Sequence, residues 1–314
     1  MNLQPKMFLY ILFILSQIGT SLAATPATRY ESNIIFFGFN DRSLATSSFV
    51  STFNSLIRSK CNVNGLFTII VHAEGENRDT PWVYAMIKKF LHYRGGCVFL
   101  MDYGYYAKSN SLVLHSHFDG IVEVLKRKMQ QIGAYNRQLC FGSGFGARLC
   151  VAAGKAIGNS VIDRMELCDP SRTVFNNGFD PNPKPAAKNV ACINTSSDLG
   201  TSTYNCHQNF RMGLCGRSQP AAGPPPLNSH GLCPYFYILA FNNNFVPNNV
   251  HKCTSTRLAT MSSAVKMGYN ARFNRTLVRG DVFIATAKHI PFIVKNGIID
   301  NQMTAMMDYI NRKI

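Results

Sequence analysis

The stretch Arg137–Cys150, RQLCFGSGFGARLC, is the feature around which the rest of the chain can be organised. It begins as an apolar, strand-like run and breaks at three closely spaced glycines. Beyond the glycines, Phe145, Leu149 and Ala152 recur at helical spacing. The pattern therefore predicts a strand that turns sharply into a helix.

The turn resembles the Gly-x-Ser-x-Gly elbow of hydrolytic enzymes, in which a serine nucleophile stands at the apex between two glycines. Small flanking residues are needed there because the turn is strained and its neighbours approach closely. Here Gly142 and Gly146 flank the apex, and the apex residue is Gly144. Ser143 is one place early, and as a nucleophile it would be flanked by two bulky phenylalanines. The sequence predicts an elbow without a nucleophile.

Strand-like and helix-like runs alternate before and after the elbow, which predicts an α/β fold with a mostly parallel central sheet and helices on both faces. The functional site of such a sheet lies at the carboxyl ends of its strands, where His72, Asp102 and Asp169 fall. Besides the elbow strand, strands are predicted at Asn33–Phe39, Leu66–Val71, Cys97–Met101 and Ser160–Cys168, and helices from Pro81 and over Phe118–Ile132. Residues from about 195 to 232 are polar and rich in proline, which predicts a long lid-like loop.

The first residues have the three parts of a secretory signal: a lysine, a short apolar run and small residues before a cleavage site. We therefore expect a signal peptide at residues 1–23 and one secreted, extracellular domain over residues 24–314, with no membrane-spanning segment. Ten cysteines fit an oxidising compartment. Disulfides are expected for Cys206, Cys215, Cys233 and Cys253, whereas Cys97, Cys140, Cys150 and Cys168 are either paired or buried thiols. Asn194 and Asn274 begin glycosylation sequons.

The formal charge of +16 is carried by scattered basic residues, with no run that combines basic and aromatic side chains. This distribution argues against a nucleic-acid partner. It leaves two readings open: simple solubility, or contact with an anionic surface or glycan. No cluster with metal-ligand spacing is found, and no cofactor is expected.

Several landmarks in order along the chain resemble the secreted lipases of the pancreatic-lipase family, especially the insect members that include phospholipase A1-like and yolk proteins. The resemblance covers nearly the whole mature chain, and any one landmark is weak. The landmarks are Ile70-Val71-His72, Trp82, Asp102-Tyr103, Leu167-Cys168-Asp169-Pro170, His207-Gln208-Asn209-Phe210, Gln219-Pro220, Met267-Gly268-Tyr269 and Gly280-Asp281-Val282-Phe283.

The resemblance implies an α/β-hydrolase fold and a serine, aspartate, histidine triad in that chain order. Carried over by position, the nucleophile falls on Gly144 and the acid on Asp169. The histidine of the family's Cys-x-His pattern falls on Tyr235, a poor base because its ordinary pKa is about 10. The oxyanion-loop positions fall on Glu74 and Phe145, and Glu74 would place a carboxylate beside a developing negative charge.

These substitutions predict a catalytically inactive, lipase-like pseudoenzyme that acts by binding, carrying or storing a hydrophobic ligand, as yolk proteins do. One alternative is a weak triacylglycerol lipase or phospholipase A1-type ester hydrolase in which Ser143 and His230 replace the missing groups. Another is an extracellular interaction protein whose cationic surface binds glycans, membranes or a protein.

Overall fold

The computed structural model describes residues 26–40, 43–49, 53, 57, 61, 65–133, 137–172, 181–258, 265–271 and 280–294. The proposed signal peptide and the sequon at Asn274 lie outside these residues. The strands are β1 (Ile35–Asn40), β2 (Ser43–Phe49), β3 (Phe67–Val71), β4 (Cys97–Asp102), β5 (Gln138–Ser143), β6 (Ile162–Cys168), β7 (Asn189–Asn194), β8 (Gln208–Met212) and β9 (Gly280–Ile284). The helices are α1 (Pro26–Glu31), α2 (Pro81–Tyr93), α3 (Gly104–Ala107), α4 (Ser111–Ser116), α5 (Phe118–Ile132), α6 (Phe145–Ile157) and α7 (Cys233–Leu239), with a 3-10 turn at Lys184–Ala186.

These strands form one sheet in the order β2-β1-β4-β3-β5-β6-β7-β8-β9. Strand β1 runs antiparallel to both β2 and β4. From β4 to β9 every neighbouring pair is parallel. A mostly parallel sheet with helices is consistent with the α/β-hydrolase fold, so the fold class predicted from the sequence is confirmed.

Helices cover both faces of the sheet because successive strand residues point to opposite sides. Ile69 packs into one apolar core together with α5 and α6. Its neighbour Ile70 packs into the other core, with α2 and α7. The two cores explain why the inner strands are apolar on both faces, a pattern typical of buried parallel strands.

The predicted helices are found where the sequence placed them. Helix α2 begins at Pro81, directly after Thr80 in extended conformation, and α5 spans the predicted Phe118–Ile132. Proline fits the first helical position because its missing N–H would have no partner there. Helix α2 therefore begins right after the loop that follows β3. Its first turn lies at the edge of the sheet formed by the carboxyl ends of the parallel strands, which is called the active edge below.

The predicted lid-like loop over 195–232 is partly wrong, because residues 208–212 form strand β8 inside the sheet. The sequence did not predict this strand because several of its side chains are polar, and three of these are buried: Gln208, Asn209 and Arg211. Arg211 is accommodated by Asp281 on the neighbouring β9, at 3.3 Å from its carboxylate. The irregular segment between β8 and α7 is therefore residues 213–232.

All ten cysteines form disulfides, so the choice left open for the buried ones is settled in favour of pairing. The pairs are Cys61–Cys97, Cys140–Cys150, Cys168–Cys233, Cys192–Cys206 and Cys215–Cys253. Five disulfides fit an extracellular location, where such bonds persist. None of the described helices has the length and apolar character to cross a bilayer.

The sequon at Asn194 is buried at the end of β7, where the side chain is 1% exposed. Its amide nitrogen donates to the carbonyl of Thr201 at 2.8 Å. A glycan needs an exposed asparagine, so the interpretation of Asn194 as a glycosylation site is wrong for the folded chain.

Candidate functional site

The elbow is formed as the glycine spacing predicts. Strand β5 ends at Ser143, Gly144 adopts φ 53° and ψ −117°, and helix α6 begins at Phe145. A Cβ on Gly142 would lie 2.6 Å from the Cα of Ala147, and one on Gly146 would lie 2.3 Å from the carbonyl oxygen of His72. Only glycine fits at these two contacts, and Gly144 lies between them at the turn from β5 to α6.

The neighbouring Ser143 is a strand residue. It is the last residue of β5, pairs in register with Cys168 of β6, and is 4% exposed. It stands one position before the apex, where the sequence already argued against a nucleophile. Phe145 begins the helix directly after the apex, as expected for the residue whose amide follows the nucleophile position.

Asp169 follows β6 and is held at the active edge of the sheet by a network of donors. Its residue is fully buried and has φ 41°. The amides of Thr195 and Ser196 donate to its Oδ1 at 2.9 and 3.3 Å, and the hydroxyl of Ser196 donates to Oδ2 at 2.6 Å. These bonds compensate a buried carboxylate, which would otherwise be costly.

His230 is the partner of this carboxylate. Its Nδ1 donates to Oδ2 of Asp169 at 2.6 Å, and its side chain is 16% exposed. Its Nε2 faces the elbow, 3.1 Å from the point that a Cβ on Gly144 would occupy. Burial lowers the pKa of His230, but the hydrogen bond and charge of Asp169 outweigh that effect and raise the pKa above the ordinary value.

The prediction that Tyr235 takes the place of the histidine is therefore wrong in its geometry. Tyr235 lies within α7, while His230, five residues earlier, pairs with Asp169. Burial together with the charge of Glu76 raises the pKa of Tyr235 to about 12, so it is a still poorer base than its ordinary pKa suggests. The reading of His230 as an exposed loop histidine is wrong too.

The error came from counting forward from Cys233 as the cysteine of a Cys-x-His pattern. In the structure Cys233 opens helix α7 and is bonded to Cys168. A usable signal was the chain order, because the triad order puts the histidine after the acid. Four histidines follow Asp169, and they are His207, His230, His251 and His289.

Two disulfides brace the site. Cys168–Cys233 joins the residue before Asp169 to the start of the helix that follows His230. Cys140–Cys150 joins β5 to α6 across the elbow. The first disulfide links the segments that carry Asp169 and His230, and the second links the two elements on either side of Gly144. Both bonds limit how far these segments can move apart.

The loop between β3 and α2 lies against the elbow, but its carboxylates are arranged differently from the expectation. Glu74 accepts from the hydroxyl of Ser111 at 2.5 Å. Glu76 instead accepts from the amide of Ala73 and from Nε1 of Trp82, both at 2.8 Å. Of the two carboxylates, Glu76 is the one bonded to the amide of Ala73 beside Gly144, and the role carried over to Glu74 stays a prediction.

Ser171 is a second group that sequence reasoning missed. Its amide donates to the carbonyl of Gly144 at 3.1 Å. Its hydroxyl oxygen lies 3.2 Å from the point that a Cβ on Gly144 would occupy. Nothing in the local sequence marks this serine apart from its place two residues after Asp169.

His72 and Asp102, predicted at strand ends, also lie at this edge and contact each other. Nε2 of His72 is 3.2 Å from Oδ1 of Asp102, and the imidazole stacks on Tyr103 with ring centroids 4.3 Å apart. His72 is fully buried beneath the loop that carries Ala73, so the pair ties β3 to β4 under the site.

Comparisons with known proteins identify no family for this chain. No protein-family model matches it, and no curated protein does. Among solved structures, it is similar to a predicted CIB-like hydrolase from Thermoplasma acidophilum, with a TM-score of 0.36 and 11% identity over 55% of this chain and 73% of that one. The fold is that of an α/β-hydrolase. Its site combines an oriented histidine and carboxylate with an apex that has no side chain.

Proposed function

We propose that this chain is a secreted, lipase-like protein that has lost ester hydrolysis and acts by binding a hydrophobic ligand. The observation that carries the proposal is Gly144 at the apex, opposite an otherwise assembled histidine and aspartate. A serine hydrolase needs a hydroxyl at this point to form the acyl intermediate. Removal of a nucleophile from such a site costs about 10⁶-fold in turnover.

What remains at the site is a polar centre without a reacting atom. In a serine hydrolase the imidazole takes the proton of the nucleophile while the aspartate orients the ring. His230 has the aspartate but no hydroxyl at position 144 from which to take a proton. The remaining groups can hydrogen-bond a ligand, but they cannot form and resolve an acyl-enzyme at the apex.

Exposed apolar side chains in the segments that follow the parallel strands support an apolar ligand. Five exposed large apolar side chains follow the carboxyl ends of parallel strands, and they are Tyr105, Leu112, Val113, Leu199 and Leu214. The carboxyl ends of parallel strands meet at one edge of a sheet, which is the edge that carries the elbow. Small-molecule sites typically combine apolar side chains with a few polar groups, and this is the reason for proposing an apolar ligand.

The proposal is tested with the purified mature protein, short- and long-chain p-nitrophenyl esters, and lipid extraction followed by mass spectrometry. We expect ester cleavage no faster than with H230A, and a co-purifying lipid that is released by organic solvent. Cleavage that exceeds the H230A background by orders of magnitude would refute the loss of chemistry. A chain purified from its native source without any bound lipid would refute the carrier role.

A second candidate function has one specific observation in its favour. The hydroxyl of Ser171 and Nε2 of His230 lie 3.2 and 3.1 Å from the same point beside Gly144. A change of the serine rotamer could bring the two into contact and give a weak ester hydrolase with a displaced nucleophile. Ester cleavage or fluorophosphonate labelling that is lost in both S171A and H230A would establish this function instead.

A further inference from the structure

The loop between β3 and α2 adds two features to the elbow that the missing nucleophile does not account for. The Cβ of Ala73 lies 2.9 Å from the point that a Cβ on Gly144 would occupy, closer than two such atoms approach in real proteins. The methyl group of Ala73 therefore takes up space that an apex side chain would need. The absence of a side chain at Gly144 and the presence of one at Ala73 are complementary.

The second feature concerns the amide of the same residue. The N–H of Ala73 donates to Oε2 of Glu76 at 2.8 Å, and Oε1 of Glu76 accepts from Nε1 of Trp82. Trp82, in the first turn of α2, is 1% exposed, so its buried indole holds the second oxygen of the carboxylate. Both oxygens of Glu76 are thereby fixed against the loop.

This arrangement is opposed to what an acyl-transfer site needs. Hydrolases of this fold stabilise the oxyanion with an amide from this loop and with the amide after the nucleophile. An amide bonded to a carboxylate is already satisfied, and the negative charge of that carboxylate repels a second developing anion. The charge of Glu76 reaches the centre, since it contributes to raising the pKa of both His230 and Tyr235.

We infer that Ala73 and Glu76 disable the site independently of Gly144, Ala73 by filling the space of the nucleophile and Glu76 by binding the Ala73 amide, which we assign as the oxyanion donor of this loop in place of the position carried over to Glu74. The inference rests on the proposed loss of hydrolysis and extends it. Introduction of a serine at the apex alone does not restore reactivity, because the oxyanion side remains blocked. Reactivity needs all three positions to change.

The experiment uses full-length mature variants and a fluorophosphonate probe. In the reaction, the introduced hydroxyl forms the oxygen–phosphorus bond, fluoride leaves, and His230 accepts the hydroxyl proton. The series is G144S, A73G/G144S and A73G/E76Q/G144S, with A73G/E74Q/G144S as the matched control. E74Q is the suitable control because it removes a carboxylate from the same loop, and this carboxylate bonds to Ser111 and not to Ala73.

We expect the E76Q triple variant to be labelled about 10²–10³-fold faster than the E74Q control, the range that one oxyanion donor is worth. G144S alone should react no faster than the control. If G144S reacts as fast as the E76Q triple variant, or if the two triple variants do not differ, the inference is overturned.

A second measurement needs no engineered reactivity and decides the matter if a triple variant does not fold. The pKa of the His230 imidazole is followed by NMR in the wild-type chain, E76Q and E74Q. We expect E76Q to lower this pKa and E74Q to leave it in place. A pKa that does not respond to E76Q would overturn the role of Glu76 and leave the proposed function standing, whereas ester turnover by the wild-type chain would refute both.

Discussion

Replacement of Gly144 by alanine tests how far the apex has closed around its missing side chain. The backbone at φ 53° and ψ −117° is strained for any residue with a Cβ, which costs about 1–3 kcal/mol. The new methyl would also lie 2.9 Å from the Cβ of Ala73 and 3.1 Å from Nε2 of His230. Overpacking of this kind costs about 1–3 kcal/mol more. We therefore expect G144A to lower the free energy of unfolding by about 2–6 kcal/mol.

A matched control separates strain from crowding. Gly95 has φ 68°, and a Cβ there would meet nothing within 4 Å, so G95A reports the cost of a left-handed backbone alone. That cost is about 1–2 kcal/mol. A73G/G144A, compared with A73G, should recover the part of the crowding that comes from Ala73, because the contact at 2.9 Å is gone.

The assay is urea unfolding with the disulfides intact, followed by circular dichroism at constant pH. The expected order of destabilisation is G144A greater than G95A, with A73G/G144A relative to A73G in between. If G144A and G95A agree within about 0.5 kcal/mol, the usual limit of additivity, then Ala73 does not crowd the apex and the reasoning is refuted.

Three further predictions concern the surroundings of the apex. Since the pKa of His230 is raised in the folded chain, its bond to Asp169 stabilises the fold fully below the unfolded pKa of 6.5, and stabilises it less as pH rises through the folded value. H230Q should therefore lower the free energy of unfolding by about 1.5–3 kcal/mol near pH 5.5 and by clearly less at pH 9. Equal losses at both pH values in urea titrations would contradict this. The C168S/C233S variant should lose about 4 kcal/mol of unfolding free energy, because the disulfide joins residues 65 positions apart. Chemical denaturation should show a smaller loss for C140S/C150S, whose cysteines are 10 positions apart, and the reverse order would argue against a chain-entropy origin. Intact-mass analysis of secreted protein should show no glycan that disappears in N194Q, and a glycan at this asparagine would mean that the end of β7 opens before or after folding.

Local sequence patterns were sufficient for the frame of the site. The spacing of Gly142, Gly144 and Gly146 predicts the elbow because each glycine answers to a local steric demand of the turn. Asp169 is predicted for a similar reason, since a strand that ends in a carboxylate puts it at the active edge wherever the sheet is parallel. The order of apolar runs predicts the layered fold in the same way, without reference to any particular contact.

Strand β8 shows where local patterns stop. Its side chains Gln208, Asn209 and Arg211 look like those of a loop, yet they are buried because Asp281 and neighbouring backbone groups satisfy part of their polar atoms. That compensation comes from residues some 70 positions away in sequence, as for Arg211 and Asp281. No period in the strand itself could have announced it.

The sequence by itself determined that this protein has an elbow with glycine at its apex, because the apex is defined by residues within five positions of one another. Only the tertiary structure decided which imidazole contacts Asp169 and which carboxylate binds the amide of Ala73. His230 is positioned by its bond to Asp169 and by the disulfide Cys168–Cys233, which join segments far apart in the chain. Glu76 is positioned by its hydrogen bond from Trp82. Contacts of that kind depend on where whole strands lie. The position of a motif along the sequence therefore indicated Tyr235 and Glu74, whereas the fold brings His230 and Glu76 together with Asp169 and Ala73.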